Sequence, residues 1–408
     1  MRAPSVAAAA MAAVMALAAG CSSAKHPKTP RATAPPSTAP ATSTTTTAPF
    51  DPTAPGVSHL EYVAVDGSIT VYDEDHGFRV VDTIALPQTK AGVRGIAADP
   101  NGHALYISYG GDGRVNGNGS ILRYDLTTKQ VAWDRHYNHG IDSLAVSGDG
   151  ATLYTPDGEL AQDGLWYETE ATTGTDVATI HGPIGAHNTV VGRGGRVYLG
   201  GRDHDELEVF DPATARVVKK VGPLKSGVRP FAVNGRETLS FTTATGFLGF
   251  QVGDLASGQV LYTVTFNGFT YDPKKFTPSA PSHGISLSPD EREVYVVDAP
   301  NSVIHVFDVT GLPASPPRPV ADIRLHHGFI GTESPCAYDC ARDGWLQHSR
   351  DGRYVYVGDS GDVIDTATHT IVDYLPALAN TRKHLEIDWL AGRPVATTTR
   401  LGLGYVTG

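Results

Sequence analysis

Between His283 and Val309 apolar and polar residues alternate in short bursts. Gly284–Ser288, Glu293–Val297 and Ser302–Asp308 are rich in β-branched and aromatic residues, and Pro289–Glu291 and Asp298–Asn301 separate them. The pattern predicts three strands joined by tight turns, because branched side chains fit a half-buried pleated surface and Pro, Asp and Asn favour turns. The same unit returns at Gly95–Val131, Ser143–Gly158 and Asn188–Val218: a turn, then Leu-Tyr or Val-Tyr, then in the fuller copies a strand ending in Tyr-Asp or Phe-Asp. No long stretch after residue 60 carries apolar residues at helical spacing. Internal repetition of this kind governs the fold.

The residue about seven before each first turn marks where the first strand of a unit begins. These positions are Arg94, Asp142, His187, Arg229, His283, Gly344 and His384, spaced 40 to 61 residues apart. A period of 40 to 50 with several strands per period predicts propeller blades. The longer spacings mark insertions at Phe266–Pro281 and Leu312–Asp343. Each end offers three strands: Leu60–Val65, Ser68–Tyr72 and Phe78–Leu86, then Glu386–Trp389, Val395–Thr399 and Leu401–Val406. The expected architecture is an all-β propeller of seven four-stranded blades, with eight possible, closed by mixing N- and C-terminal strands so that no sheet edge stays open.

The first 20 residues form a signal segment. Met1-Arg2 is a basic start, and Val6–Ala19 is too short to span a bilayer as a mature helix. The run ends in Leu17-Ala-Ala-Gly-Cys21, which resembles a bacterial lipobox. That resemblance implies cleavage before Cys21, acylation of Cys21 and an extracytoplasmic, lipid-anchored location. Residues 21–56 are dominated by Thr, Pro, Ala and Ser. They cannot bury enough apolar surface to offset their ordering entropy, so they read as a tether. The propeller occupies 57–408.

Ser147-Gly-Asp-Gly-Ala-Thr-Leu-Tyr154, Ser288-Pro-Asp-Glu-Arg-Glu-Val-Tyr295 and Ser349-Arg-Asp-Gly-Arg-Tyr-Val-Tyr356 resemble the YVTN-type bacterial β-propeller repeat. The resemblance implies the fold and no particular chemistry. It weakens at Phe231–Gly249 and in the insertion that carries two cysteines.

Three first-strand positions are histidine: His187, His283 and His384. Two more lie close, His139 before its strand in a His-Gly-Ile triplet repeated at His283, and His348 four residues into its unit. Imidazole suits copper, zinc, iron and nickel. A ring of histidines from separate blades is similar in idea to copper-binding propellers such as nitrous oxide reductase and the selenium-binding-protein/methanethiol oxidase family. The expectation is a metal or small-ligand site at the channel mouth, with copper or another transition metal as possible cofactor. Arg94 and Arg229 would hold a carboxylate or phosphate. Alternation puts His384, Glu386 and Asp388 on one face, so Glu386 could orient a histidine, whereas Asp388 reads as a partner for Arg382, Lys383 or Arg393.

The lipobox resemblance implies that Cys336 and Cys340, in one loop, lie outside the reducing cytoplasm, which favours a disulfide; a metal pair with the ring histidines is the alternative. Gly358–Asp362 has the letters of a serine-protease motif but reads as a turn. The formal net charge of −11 argues against nucleic acid. Three functions stay open. The first is a monomeric tethered propeller binding a small molecule or metal at its mouth. The second is a metal-dependent oxidoreductase or lyase. The third is a scaffold presenting its rim to a protein or polysaccharide.

Overall fold

The computed structural model describes residues 51–276, 280–329, 331–333 and 341–398. The expected signal segment, Cys21, most of the tether and Cys336 and Cys340 lie outside them. Seven antiparallel sheets are arranged in a ring as a seven-bladed β-propeller; the closing blade that holds Val57–Val65 is blade 1, and blades 2 to 7 begin at Val93, Ala145, Ala186, Val228, Ile285 and Trp345. The only helical pieces among the described residues are three short 3-10 turns, and no helix there is long and apolar enough to cross a membrane.

The repeated sequence motif has a direct physical reading. Ser147 Oγ donates to Asp149 Oδ1 at 2.6 Å, while the Ala151 N–H donates to the same carboxylate and the Thr152 N–H to Ser147 Oγ. Ser288/Asp290 and Ser349/Asp351 repeat the arrangement. Side-chain oxygens thus take up the turn's backbone donors and fix the hairpin between the first two strands of a blade. In the fifth blade, where the motif is degraded, Asn234 Oδ1 alone accepts from the Thr238 and Leu239 N–H groups at 2.8 and 2.9 Å.

Each predicted first strand is the first of its blade and begins within three residues of its expected position. These strands are Val93–Ala98, Ala145–Val146, Ala186–Val191, Val228–Val233, Ile285–Leu287, Trp345–His348 and His384–Leu390. The last of them pairs with Val57–Val65, so the closing blade takes one strand from the C-terminal side and three from the N-terminal side. The surplus strand, Arg393–Thr397, adds a fifth position beside His384–Leu390 and does not start an eighth blade. It packs against Gly102, in the turn of blade 2, where an added Cβ would lie 3.1–3.2 Å from Ile387 and Pro394. From blade 7, Arg350 Nη1 donates to the Thr397 carbonyl.

Apolar faces of neighbouring blades meet in separate clusters, one of them joining Leu385, Ile387 and Tyr62 of blade 1 to Ile96, Leu105 and Leu122 of blade 2. Burial of such faces is the main force holding the ring.

Candidate functional site

The first strands all start at the same end of the central channel, so the residues at their starts form a ring. Its members are buried and charged or polar: Arg94, Asp142, His187, Arg229, His283, Asp343, Arg382 and Lys383. Buried charges persist only when matched, and here the matching runs from blade to blade. Arg94 Nη2 lies 3.9 Å from Asp142 Oδ1, and Asp142 Oδ2 is 2.9 Å from His187 Nδ1. The His187 and His283 rings are 5.9 Å apart. His283 Nδ1 is 3.1 Å from the Gly344 carbonyl and 3.3 Å from Asp343. Arg382 pairs with Asp343 and, through Nε at 3.0 Å, with Glu333. Lys383 Nζ meets both Glu333 oxygens at 2.9 Å. Arg229, with no exposed surface, pairs with the equally buried Glu159, which also takes Arg202.

Glycines permit this convergence. A Cβ on Gly284 would sit 2.7 Å from Val297 Cγ2 and 3.1 Å from Trp345 Cα, so only glycine lets the first strands of blades 6 and 7 approach enough to bring His283 to Gly344.

The electrostatics follow from burial. Burial first, then the charges of Arg229, Arg382 and His187, holds His283 well below the usual histidine range, so its ring is neutral. With its proton on Nδ1, where the Gly344 carbonyl and the Asp343 carboxylate accept it, the ring would carry its lone pair on Nε2; Arg382 Nη1 also lies 3.5 Å from Nδ1. His187 directs Nδ1 at Asp142 in the same way. Neither Nε2 has a hydrogen-bond partner among the described residues, and both are buried. On the other side of the ring, burial would raise Glu333, but Arg382 and Lys383 outweigh it and hold its carboxyl well below the usual range. Asp359, beside them, is pushed up to about 7 by burial and by Glu333.

The ring brings together Arg94, His187, Arg229 and His283 of the residues expected from sequence. The others have different surroundings. His139 stacks on Tyr167 at 3.5 Å and Tyr137 at 4.9 Å, with Nε2 3.0 Å from Asp176. His348, at the far end of its strand, has Nδ1 2.8 Å from Ser286 Oγ and lies edge-on to Tyr295; burial pushes it down to about 3. His384 Nδ1 is 2.6 Å from Glu61. Glu386 lies with His59 and Asp388, and that trio and His204–Glu206–Glu208 are the two groups of three metal-ligating side chains within 4.8 Å found among the described residues. None of the five expected histidines belongs to either. The expected partner of Asp388 is corrected: it pairs with Arg350 at 2.8 Å, while Arg382 and Lys383 serve Glu333. Ser360, in the protease-like letters, sits in a turn and donates to Asp362 at 2.6 Å.

Asp343, Arg382, Lys383, Glu333 and Glu159 escape sequence reasoning. The first three stand one or two residues before a first-strand position, and a search for ionisable residues up to two steps upstream would have found them.

No protein-family model matches the sequence, and no curated protein does. Solved structures are similar in fold. A functionally unknown protein from Desulfotomaculum acetoxidans matches with a TM-score of 0.61 at 12% identity, over 80% of this chain and 98% of that one. A chain of the mitotic checkpoint complex matches at 0.55 and 15%, over 73% and 80%. The dihydro-heme d1 dehydrogenase NirN, in complex with DHE, matches at 0.53 and 16%, over 84% and 73%. At these identities the likeness is one of fold.

Proposed function

We propose that this chain is a ligand-binding β-propeller with the YVTN-type repeat, lipid-anchored through Cys21 on the extracytoplasmic face of the membrane, and that its channel mouth binds a transition-metal ion together with an anionic co-ligand. One observation carries the reading: among the described residues the Nε2 atoms of His187 and His283, from blades 4 and 6, are buried and have no hydrogen-bond partner, while carboxylates or a carbonyl engage both Nδ1 atoms. An oxygen acceptor behind an imidazole fixes its tautomer and raises its basicity as a metal ligand. Two protein donors leave a metal open-sided. Arg229 and Arg382 lie close enough to depress His283 and would face an anion that fills the open positions. Copper and zinc suit imidazole donors.

A second reading is an organic acid bound without metal, favoured by the four buried cations Arg94, Arg229, Arg382 and Lys383. Detergent-purified full-length protein, titrated calorimetrically with copper or zinc salts and then with acetate and phosphate, separates the two. Stoichiometric metal binding lost in His283→Ala supports the metal site. Binding of the anions alone, unchanged by chelator, replaces it with the second reading. No heat with any of them sinks both.

A further inference from the structure

One side chain closes the axis beneath the mouth. At the position directly after the ring residue, blades 2, 3, 5 and 6 carry Gly95, Ser143, Pro230 and Gly284. Blade 7 alone puts an aromatic residue at this level, Trp345, directly after Gly344. The small residues on the other first strands leave room for it.

Trp345 is buried, at 2% exposure. Blade 7 shares apolar clusters with its two neighbours, blades 6 and 1. The Trp345 side chain belongs to neither cluster. It joins Val190 of blade 4 and Val228 and Phe231 of blade 5. A first-strand side chain reaches a blade that is not its neighbour only by crossing the axis. Its ring lies 6.1 Å from that of His283, which in turn lies 5.9 Å from His187. A strand advances about 3.3 Å per residue, so the indole lies about one layer of atoms below the ring of charged groups. The ring is shut off from solvent as well, since Arg229 is 0% and His283 1% exposed. Whatever the mouth binds is therefore enclosed.

Resting on the reading of the mouth as a metal and anion site, we infer that Trp345 is the floor of that site and sets the size of the anionic co-ligand. The class it admits is the compact carboxylate, of the size of formate or acetate. Cationic walls turn the carboxylate group of such an anion towards Arg229 and Arg382, and the apolar floor takes a methyl group against the indole. An acid that carries an aromatic ring has no room between the two. Trp345 touches no charge in this arrangement; it acts by bounding the space, as a specificity-determining residue.

The test uses full-length protein in detergent, with and without one equivalent of copper, titrated calorimetrically with acetate and with benzoate. Wild type should bind acetate at least about tenfold more tightly than benzoate, the penalty for overfilling a packed space. Trp345→Ala should admit benzoate and remove that preference, with the copper stoichiometry unchanged. If Trp345→Ala does not fold, Trp345→Phe, which trims one ring, should narrow the ratio in the same direction. Benzoate bound by wild type as tightly as acetate overturns the inference, as does a preference for acetate that survives unchanged in the variant that folds. Binding of neither anion, with copper or without, overturns it too. A preference for acetate without any uptake of copper sinks the metal reading and supports the floor; uptake of copper without a size preference supports the metal and overturns the floor.

Discussion

His348 offers a sharp test of how dry the interior between blades 6 and 7 is. Its ring is buried, with Ser286 Oγ at Nδ1, Tyr295 edge-on 4.9 Å between centroids, and no hydrogen-bond partner for Nε2 among the described residues. The one charge that favours its protonation is Asp290, and burial outweighs it, lowering the group from 6.5 to about 3. The folded pKa lies below the unfolded one. The unfolded chain therefore binds the extra proton, and stability is lost as pH falls from about 6.5 towards about 3. Between pH 7 and pH 5 this single group removes about 2 kcal/mol, from 1.36 kcal/mol per pH unit over about one and a half units of effective titration. His348→Asn keeps an acceptor near Ser286 and abolishes the titration. The variant starts less stable at pH 7, and the gap to wild type should close by about 2 kcal/mol at pH 5, because groups common to both proteins cancel. Urea midpoints followed by tryptophan fluorescence at the two pH values measure it. A gap that changes by less than about 0.5 kcal/mol would show that His348 takes up a proton as readily folded as unfolded, and the dry-interior reasoning would be wrong.

Two further outcomes are expected. Trp166→Phe strips a fully buried indole of its 2.8 Å bond to Thr189 Oγ1 and should cost about 1.5–3 kcal/mol; adding Thr189→Val should recover part of it in a urea double-mutant cycle. Lys383→Met should cost about 3 kcal/mol at pH 7 by breaking a buried pair with Glu333. Glu333 has a depressed folded pKa, so its contribution is present above about 4.5 and fades as pH falls below that; the Lys383→Met deficit should shrink in urea midpoints at pH 4.

The blade starts were legible because their signals are local. A Ser-x-Asp turn spends its side chains on N–H groups within five residues, and alternation marks the strands on either side, so seven positions could be placed without any long-range contact. The surplus strand at the C-terminal end was also visible, but its place was not. Arg393–Thr397 looks like any other short strand, and only the closed ring, which has filled its fourth position with Val57–Val65, leaves it a fifth. The histidine ring was half legible for the same reason. His187 and His283 stand at strand starts and meet. His139, three residues earlier, stands in a connecting loop and goes to two tyrosines. Partners across blades were not legible at all. Asp388 has three basic residues within six positions, yet pairs with Arg350 from the neighbouring blade's turn, 38 residues away. Sequence distance carries no information about which blade faces which carboxylate.

The same geometry explains why the charges gather where they do. Blades bury apolar faces against one another, so the interblade layers favour Leu, Ile and Val. First strands converge on the axis and pack there against first strands of neighbouring blades, as Gly284 does against Trp345. An ionisable residue there is desolvated without leaving reach of an opposite charge, and a chain of pairs from Arg94 through Asp142 to His187, and from His283 through Asp343 and Arg382 to Glu333, satisfies each member by the next. Such a chain is stable only if no link is missing. The two imidazole Nε2 atoms at the mouth are where links are missing among the described residues. A ligand that supplies them would stabilise the ring in the act of binding, so binding at the mouth and stability should rise and fall together.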